Sequence, residues 1–179
     1  ELITVQADIS DGLPVFGMTG HLSSEVKEAK ERVRTALKNT GYHLPPRRVS
    51  VNLAPADVRK SGTCYDLAIA VGILTAMGLI SRESVRGILF LGELSLDGML
   101  SPLTGVLSIL KAALEAGCRI CVIPLFNVKE ASLLPGMKVL GFTDLEEVIH
   151  FLTGQGEEGE MRRKGLSAVP TESVSEKLR

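Results

Sequence analysis

One cysteine lies on a glycine turn directly ahead of an apolar segment, in the stretch RKSGTCYDLAIAVGILTAMG. Cys64 follows Gly62 by two positions, and the residues after it are apolar on every side. This pattern predicts a buried helix from about Asp66 to Met77. A thiol at a helix start can act as a nucleophile when a cation, a His or the helix N-terminus lowers its pKa. Cys64 is therefore either a nucleophile or a small packed side chain.

A second pair of thiols, Cys118 and Cys121, has the C-x-x-C spacing of half a zinc site or of a redox pair. A structural zinc site needs a second pair of ligands, and a redox pair normally lies at a helix N-terminus. The surrounding run CRICVIP is apolar and predicts a covered strand instead. We interpret both cysteines as packing residues, and the three scattered histidines as structural or surface residues.

Basic residues recur along one side of the first predicted helix. They are three or four positions apart and comprise Lys27, Lys30, Arg34 and Lys38. At that spacing they share one exposed row, here called the basic stripe, which could contact DNA phosphates. Acidic residues alternate with the stripe and no aromatic residue lies among its charges, which favours an ordinary solvated helix face. The basic stripe is thus a candidate DNA or partner contact.

The sequence contains no G-x-x-x-x-G-K-[ST] loop, the usual cradle for nucleotide phosphates. The stretch GMTGHLSS places Gly17 and Gly20 ahead of a helix, where backbone N–H groups could face an anion. The absence of a Lys from this stretch favours a flexible turn. We expect no cofactor-binding and no metal-binding residue in this chain.

Hydrophobic periodicity locates the elements of the first half. Alternation in LITVQADIS predicts a half-buried strand, and Asp11-Gly12 predicts a hairpin turn into a second strand over 14–18. Ser23 can cap a helix that ends near Gly41. The segment RRVSVNL alternates again and predicts a strand.

The second half predicts further elements in the same way. GILFLGELSLDGML reads as two strands about an Asp97-Gly98 turn, and a helix follows over 105–116. After the covered strand we expect a short helix over 127–133, a strand in KVLGF, and a helix to about 152 opened by a capping box at 143–146.

Composition limits the class of protein. With 179 residues, 45% apolar and 23% charged, the chain can form one domain with an aliphatic core of helices on a sheet. Its net charge of -1 gives no general attraction to nucleic acid or membrane. Three cysteines, an odd number, favour a reducing, cytoplasmic location. No run of about 18 apolar residues occurs, so we expect no membrane segment.

Three long stretches resemble the amino-terminal domain of the magnesium chelatase-related YifB/ComM proteins. They are SDGLPVFGMTGHLSSEVKEAKERVRTALKNTGY, RRVSVNLAPADVRKSGTCYDLAIAVGIL and FLGELSLDGMLSPLTGVLSILKAALEAG. Within them D-I-S-x-G-L-P, V-N-L-A-P-A-D and G-E-L-x-L-D-G occur in the family's order. The resemblance implies an α+β domain over 1–153 with the ribosomal protein S5 domain 2-like fold, as in the Lon protease C-terminal domain, a sheet covered by helices.

The same resemblance implies the surroundings of this domain. Residues 154–179 would be a polar linker or disordered tail leading to an AAA+ ATPase module, and that module would bind ATP and Mg. Proteins of this family are viewed as hexameric rings that act on branched or single-stranded DNA in recombination and natural transformation. The expected partners are therefore further copies of the chain and DNA, with no membrane contact.

The likeness to Lon proteases also places the two catalytic positions. Lon-type peptidases use a Ser nucleophile on a turn and a Lys general base on a later helix, and burial lowers the pKa of that Lys. Cys64 falls on the nucleophile position, and Leu107 falls where the Lys should be. Lys111 lies one helical turn beyond Leu107. The two positions are thus degenerate, and we expect no catalytic residue.

The resulting hypothesis is a non-catalytic domain that assists assembly, or positions DNA or a partner, in an AAA+ DNA-remodelling motor. Two alternatives remain open. One is a divergent Lon-like peptidase that uses Cys64. The other is a subunit of a magnesium chelatase, although no porphyrin-facing His or acidic cluster is recognisable in the sequence.

Overall fold

A computed structural model describes residues 1–155, and the predicted polar tail over 154–179 lies outside them from residue 156 onwards. The strands are β1 (Thr4–Ser10), β2 (Phe16–Thr19), β3 (His21–Leu22), β4 (Arg48–Ala54), β5 (Arg59–Lys60), β6 (Ile88–Phe90), β7 (Glu93–Leu94), β8 (Leu100–Ser101), β9 (Ile120–Pro124) and β10 (Lys138–Phe142). The helices are α1 (Ser24–Asn39), α2 (Asp66–Ala76), α3 (Arg82–Val85), α4 (Val106–Glu115), α5 (Val128–Ala131) and α6 (Leu145–Thr153), with a 3-10 turn at Leu125–Asn127. The chain is therefore α+β, as predicted.

The first sheet has the strand order β1-β4-β2. β4 pairs antiparallel with β1 and parallel with β2. The apolar residues of β4 are fully buried, because they alternate towards the helices and the strand is central; they are Val49, Val51 and Leu53. The alternation predicted for β1 and β4 is thus confirmed.

The predicted hairpin at Asp11-Gly12 is wrong. β1 ends opposite Arg48 and β2 begins opposite Val49, so β4 lies between the two strands. The connection must cross two strand spacings, roughly 10 Å, which a two-residue turn cannot do. The chain uses the five residues 11–15 for this crossing.

The second sheet is parallel, with the order β10-β9-β6. β9 is central and almost entirely buried, which confirms the covered strand predicted from CRICVIP. The segment GILFLGELSLDGML was predicted to form two strands, but it contributes three, β6, β7 and β8, because the chain leaves this sheet at Gly92. A Cβ there would lie 2.7 Å from Leu100 Cδ2. Only β7 and β8 pair about the Asp97-Gly98 turn.

Helix starts and ends mostly match the sequence patterns. Ser23 caps α1 by accepting a hydrogen bond from the Val26 N–H at 3.4 Å. α2 is buried on nearly every side, as its uniform apolar sequence predicts. The cap of α6 is Asp144, which accepts from the Glu147 N–H at 2.9 Å, so the predicted box lies one residue too early. Within residues 1–155, no helix is both long and apolar enough to cross a membrane.

Two apolar clusters fill the interior. The larger one lies among α1, α2, α6 and the first sheet. The smaller one lies between α4 and the second sheet and includes Val106, Leu110, Cys121 and Ile123. The half-buried Cys64 packs against this smaller cluster.

Candidate functional site

The Cys64 turn is held to the chain segment between β6 and β7. The Gly92 N–H donates to the Cys64 carbonyl oxygen at 3.0 Å, and the Leu67 N–H donates to the Gly92 carbonyl oxygen at 3.0 Å. Gly62 enters the turn with a φ of +84°, a conformation that side-chain-bearing residues rarely adopt. Two backbone hydrogen bonds therefore hold the turn to this segment.

A buried ion pair lies directly behind the turn. The Asp66 side chain is fully buried and accepts hydrogen bonds from Arg32 Nε at 2.7 Å and Arg32 Nη2 at 3.0 Å. It also accepts from the Leu94 N–H at 3.1 Å. Asp66 thus joins α1, α2 and β7 through one carboxylate.

A second polar contact flanks Cys64 on the other side. The Thr63 hydroxyl donates a hydrogen bond to Glu93. Neither this contact nor the Arg32 to Asp66 pair was predicted from the sequence. Arg32 and Asp66 are 34 positions apart, and only an acidic first residue in an otherwise apolar helix could have drawn attention to Asp66.

The electrostatics of the turn disfavour a thiolate. Burial raises the pKa of Cys64, and the negative charge of Asp66 raises it further. Burial also raises the pKa of Asp66, while the hydrogen bonds from Arg32 and the Leu94 N–H oppose that shift. The ion pair in turn raises the pKa of Arg32. The thiol is therefore a poor nucleophile near neutral pH.

Two lysines, one close to the turn in sequence and one a helical turn beyond Leu107, do not offset the rise in the pKa of Cys64. Lys60 is fully buried and donates to the Pro55 carbonyl oxygen. Lys111 is exposed on α4. Leu107, at the position that the resemblance aligns with the Lon general base, is half-buried in the first turn of that helix. Cys64 packs against an apolar cluster that contains neither lysine.

Within the C-x-x-C pair, Cys121 is also a poor nucleophile. Cys121 is fully buried, and burial raises its pKa to about 12. Cys118 is half-buried, and all three cysteines are free thiols. In the part of the chain that the structure describes, no three His, Cys, Asp or Glu side chains lie close enough together to hold a metal ion.

The turn ahead of α1 does not form an anion cradle. A Cβ at Gly20 would lie 2.7 Å from the Leu53 carbonyl oxygen, so this glycine is required by a close backbone approach. The helix N-terminus is already capped by Ser23, whose hydroxyl donates to Glu25 at 2.7 Å. A carboxylate already lies where an anion would bind.

The basic stripe lies on the surface of α1. Lys27, Arg34 and Lys38 are exposed, while the ammonium of the half-buried Lys30 lies 6.0 Å from the centre of the Phe16 ring. Within residues 1–155, none of the four makes an ion pair.

Two of the three acidic residues interleaved with the stripe contact other groups. Glu25 accepts from the Ser23 hydroxyl, and Glu28 lies 3.8 Å from Arg32. These two carboxylates are therefore not in contact with the stripe, and its cations remain open to a partner.

Comparison with known proteins assigns the family. The model of "Subunit ChlI of Mg-chelatase" matches residues 5–127. The chain is 38% identical over 154 residues to competence protein ComM of Haemophilus influenzae, an alignment that covers 86% of this chain and 30% of ComM. It is 38% identical over 153 residues to YifB of Escherichia coli K12, with the same coverage. The chain belongs to the magnesium chelatase-related YifB/ComM family.

The YifB/ComM assignment confirms the resemblance inferred from the sequence motifs. A more distant similarity links the chain to Lon protease 2 of Bacillus subtilis, at 28% identity over 128 residues, covering 70% of this chain and 22% of that protease. The α+β architecture is consistent with this similarity. The chain spans about a third of the length of its curated YifB/ComM relatives.

Proposed function

We propose that this chain is a non-catalytic domain of a magnesium chelatase-related AAA+ ATPase and assists assembly or DNA positioning in a DNA-remodelling motor. The observation that carries the proposal is the environment of Cys64, whose pKa is raised and whose expected basic partner is Leu107. A fold of the ribosomal protein S5 domain 2-like type, as in the Lon C-terminal domain, is part of the proposal. It agrees with the similarity to Lon protease 2.

The proposal assigns the remaining activities to other parts of a longer protein. Residues 1–153 form the domain, and 154–179 lead to the ATPase module that binds ATP and Mg. Self-association into a ring, most simply a hexamer, and a cytoplasmic location follow from the family resemblance. The name of the relative ComM, a competence protein, supports a role in DNA uptake or recombination.

The basic stripe is the surface we assign to DNA. Its cations make no ion pair with residues 1–155, so contact with phosphates would not first require an internal ion pair to break. Each phosphate contact releases counterions, so the affinity should fall steeply with salt. Branched and single-stranded DNA are the substrates to test.

A charge-reversal variant tests this surface. We expect K27E/K30E/R34E to weaken binding to a four-way junction at least tenfold at low salt and to flatten the dependence of affinity on salt. The matched control is R86E/K111E/K129E, which makes the same change of charge at other exposed positions. Equal loss in both variants, or no loss in either, would contradict the assignment of the stripe. Fluorescence anisotropy on the chain and on the full-length protein provides the measurement.

A magnesium chelatase subunit is the second candidate, because the matching family model is that of subunit ChlI. Magnesium insertion into a porphyrin by the full-length protein and partner subunits would support it. Junction unwinding by the full-length protein without any such insertion would favour the DNA motor.

A further inference from the structure

A groove of about 620 Å³ lies between the two sheets, apart from the Cys64 turn and the basic stripe. β1 forms one wall and β6 forms the other, while α2 forms the floor and α3 closes one end. Its volume falls within the range of ligand sites, roughly 300 to 1,000 Å³. The groove therefore has room for an occupant.

The walls of the groove are strand edges. In the described part of the chain, β1 pairs only with β4 and β6 pairs only with β9, so each has a free edge. The wall residues are consecutive in each strand, over Thr4–Ala7 and Ile88–Phe90. Consecutive strand residues point to opposite faces, so a groove that touches all of them runs along the edge. Two rows of backbone N–H and C=O groups thus border one space.

The groove is deep above α2, because this helix lines it with small side chains. Ala68, Gly72 and Ala76 are half-exposed and recur every four positions, on one side of the helix. A Cβ at Gly72 would lie 3.5 Å from Val5 Cγ1, an ordinary contact, so the glycine is not required by crowding. The floor leaves space for the side chains of a segment lying above it.

One charge marks the end of the groove. Arg82 is the only charged residue lining it within residues 1–155, and its guanidinium makes no ion pair there. The remaining lining is apolar apart from a few neutral polar groups. An occupant should therefore carry a carboxylate beside Arg82 and apolar side chains above α2.

We propose that the groove between β1 and β6 binds an extended polypeptide segment by strand addition. Free strand edges supply the main-chain hydrogen bonds in this mode, and pockets under alternate side chains select the sequence. The wall from Leu2 to Ala7 is about 20 Å long at 3.3 Å per residue, which sets the segment at five or six residues. The segment carries aliphatic residues at alternate positions and an acidic residue or free C-terminus near Arg82. This site does not depend on the DNA role proposed above.

The test uses the 179-residue chain and a set of fluorescein-labelled hexapeptides. The peptides alternate Val, Ile or Leu with Thr and end in a free carboxylate. In the tightest binder, one set of alternate N–H groups faces β1 and the other faces β6, so N-methylation of at least one set should weaken binding at least tenfold. Hydrogen exchange of β1 and β6 amides should slow in the complex. Failure of every peptide at 1 mM, or insensitivity to N-methylation of both sets, would overturn the proposal.

Variants locate the peptide in the groove. Ala68→Leu fills the floor and should weaken binding at least tenfold, whereas Ala112→Leu, the same change on the exposed side of α4, should not. Arg82→Gln should weaken the peptide with a free carboxylate several-fold and leave its amidated form unchanged. Circular dichroism verifies that each variant is folded. Laurate displacing the peptide while leaving β1 and β6 exchange unprotected would assign the groove to a small amphiphile and contradict strand addition.

Discussion

Helices α2 and α4 begin in similar ways and differ in what surrounds their first turns. Each start follows a glycine with positive φ, +84° at Gly62 and +71° at Gly105. The first turn of α2 carries the buried Asp66 with Arg32 as its partner. The first turn of α4 carries no acid and begins with Val106 and Leu107. Of these two first turns, only that of α2 joins other elements through a charged side chain.

Under the proposal that the turn is a degenerate peptidase site, this contrast explains why the turn does not need the base. Asp66 accepts from Arg32 and from the Leu94 N–H, so removing it would release three elements at once. A base at position 107 would have no comparable structural task, because α4 packs through apolar residues such as Leu110. The turn before α2 thus has a structural role of its own, whereas a charged side chain at position 107 would have none.

The largest expected effect is on the Asp66 side of this comparison. Asp66→Ala should lower the free energy of unfolding by about 3–5 kcal/mol, because it leaves Arg32 and the Leu94 N–H without their acceptor. Urea denaturation at pH 7 measures the change. The double variant R32M/D66L should recover most of the loss, since no charge is left unpaired. A single-variant loss below 1 kcal/mol would show that the pair holds nothing together.

The second effect is a pH dependence. Burial already raises the pKa of Asp66, and Arg32→Met removes the opposing hydrogen bonds, so the pKa should rise further. When the pKa of a carboxyl is higher in the folded than in the unfolded state, the folded protein loses stability as the pH rises through the folded pKa. The destabilisation by Arg32→Met should therefore shrink as the pH falls from 7 towards 5.

Urea midpoints of the unaltered chain and of Arg32→Met, measured between about pH 5 and 7, test this expectation. The double variant R32M/D66N is the matched control, because it lacks the titrating carboxyl. A loss of stability that is constant with pH in Arg32→Met would mean that Asp66 is not the titrating group.

The elements around these two turns were predictable to different degrees. Helix α1 and the alternation of β4 were predicted correctly, because one-sided burial leaves a local period in the sequence. The Asp11-Gly12 hairpin was wrong, because local turn chemistry does not reveal that β4 lies between β1 and β2. The Arg32 to Asp66 pair was missed, since long-range charge partners leave no periodic signal.

The smallest effect concerns the α4 side of the comparison and is measured on Cys64 itself. In the unaltered chain, the pH midpoint for iodoacetamide alkylation of Cys64 should lie above about 8.5, the ordinary value for a free thiol, because burial and Asp66 raise its pKa. Leu107→Lys should lower that midpoint by roughly one unit if an ammonium at this position reaches the thiol. Peptide mapping by mass spectrometry separates Cys64 from the other two cysteines.

The neighbouring substitution Ser108→Lys is the matched control, because Ser108 is exposed on the same turn of α4. Its midpoint should equal that of the unaltered chain. A midpoint at or below 8.5 in the unaltered chain would favour the cysteine peptidase instead. A lower midpoint in Leu107→Lys alone would mean that positions 64 and 107 face each other. A single substitution would then be enough to place an ammonium group beside the Cys64 thiol. Equal midpoints in all three proteins would place Leu107 out of reach of Cys64, and the peptidase-like geometry would then be confined to the α2 turn.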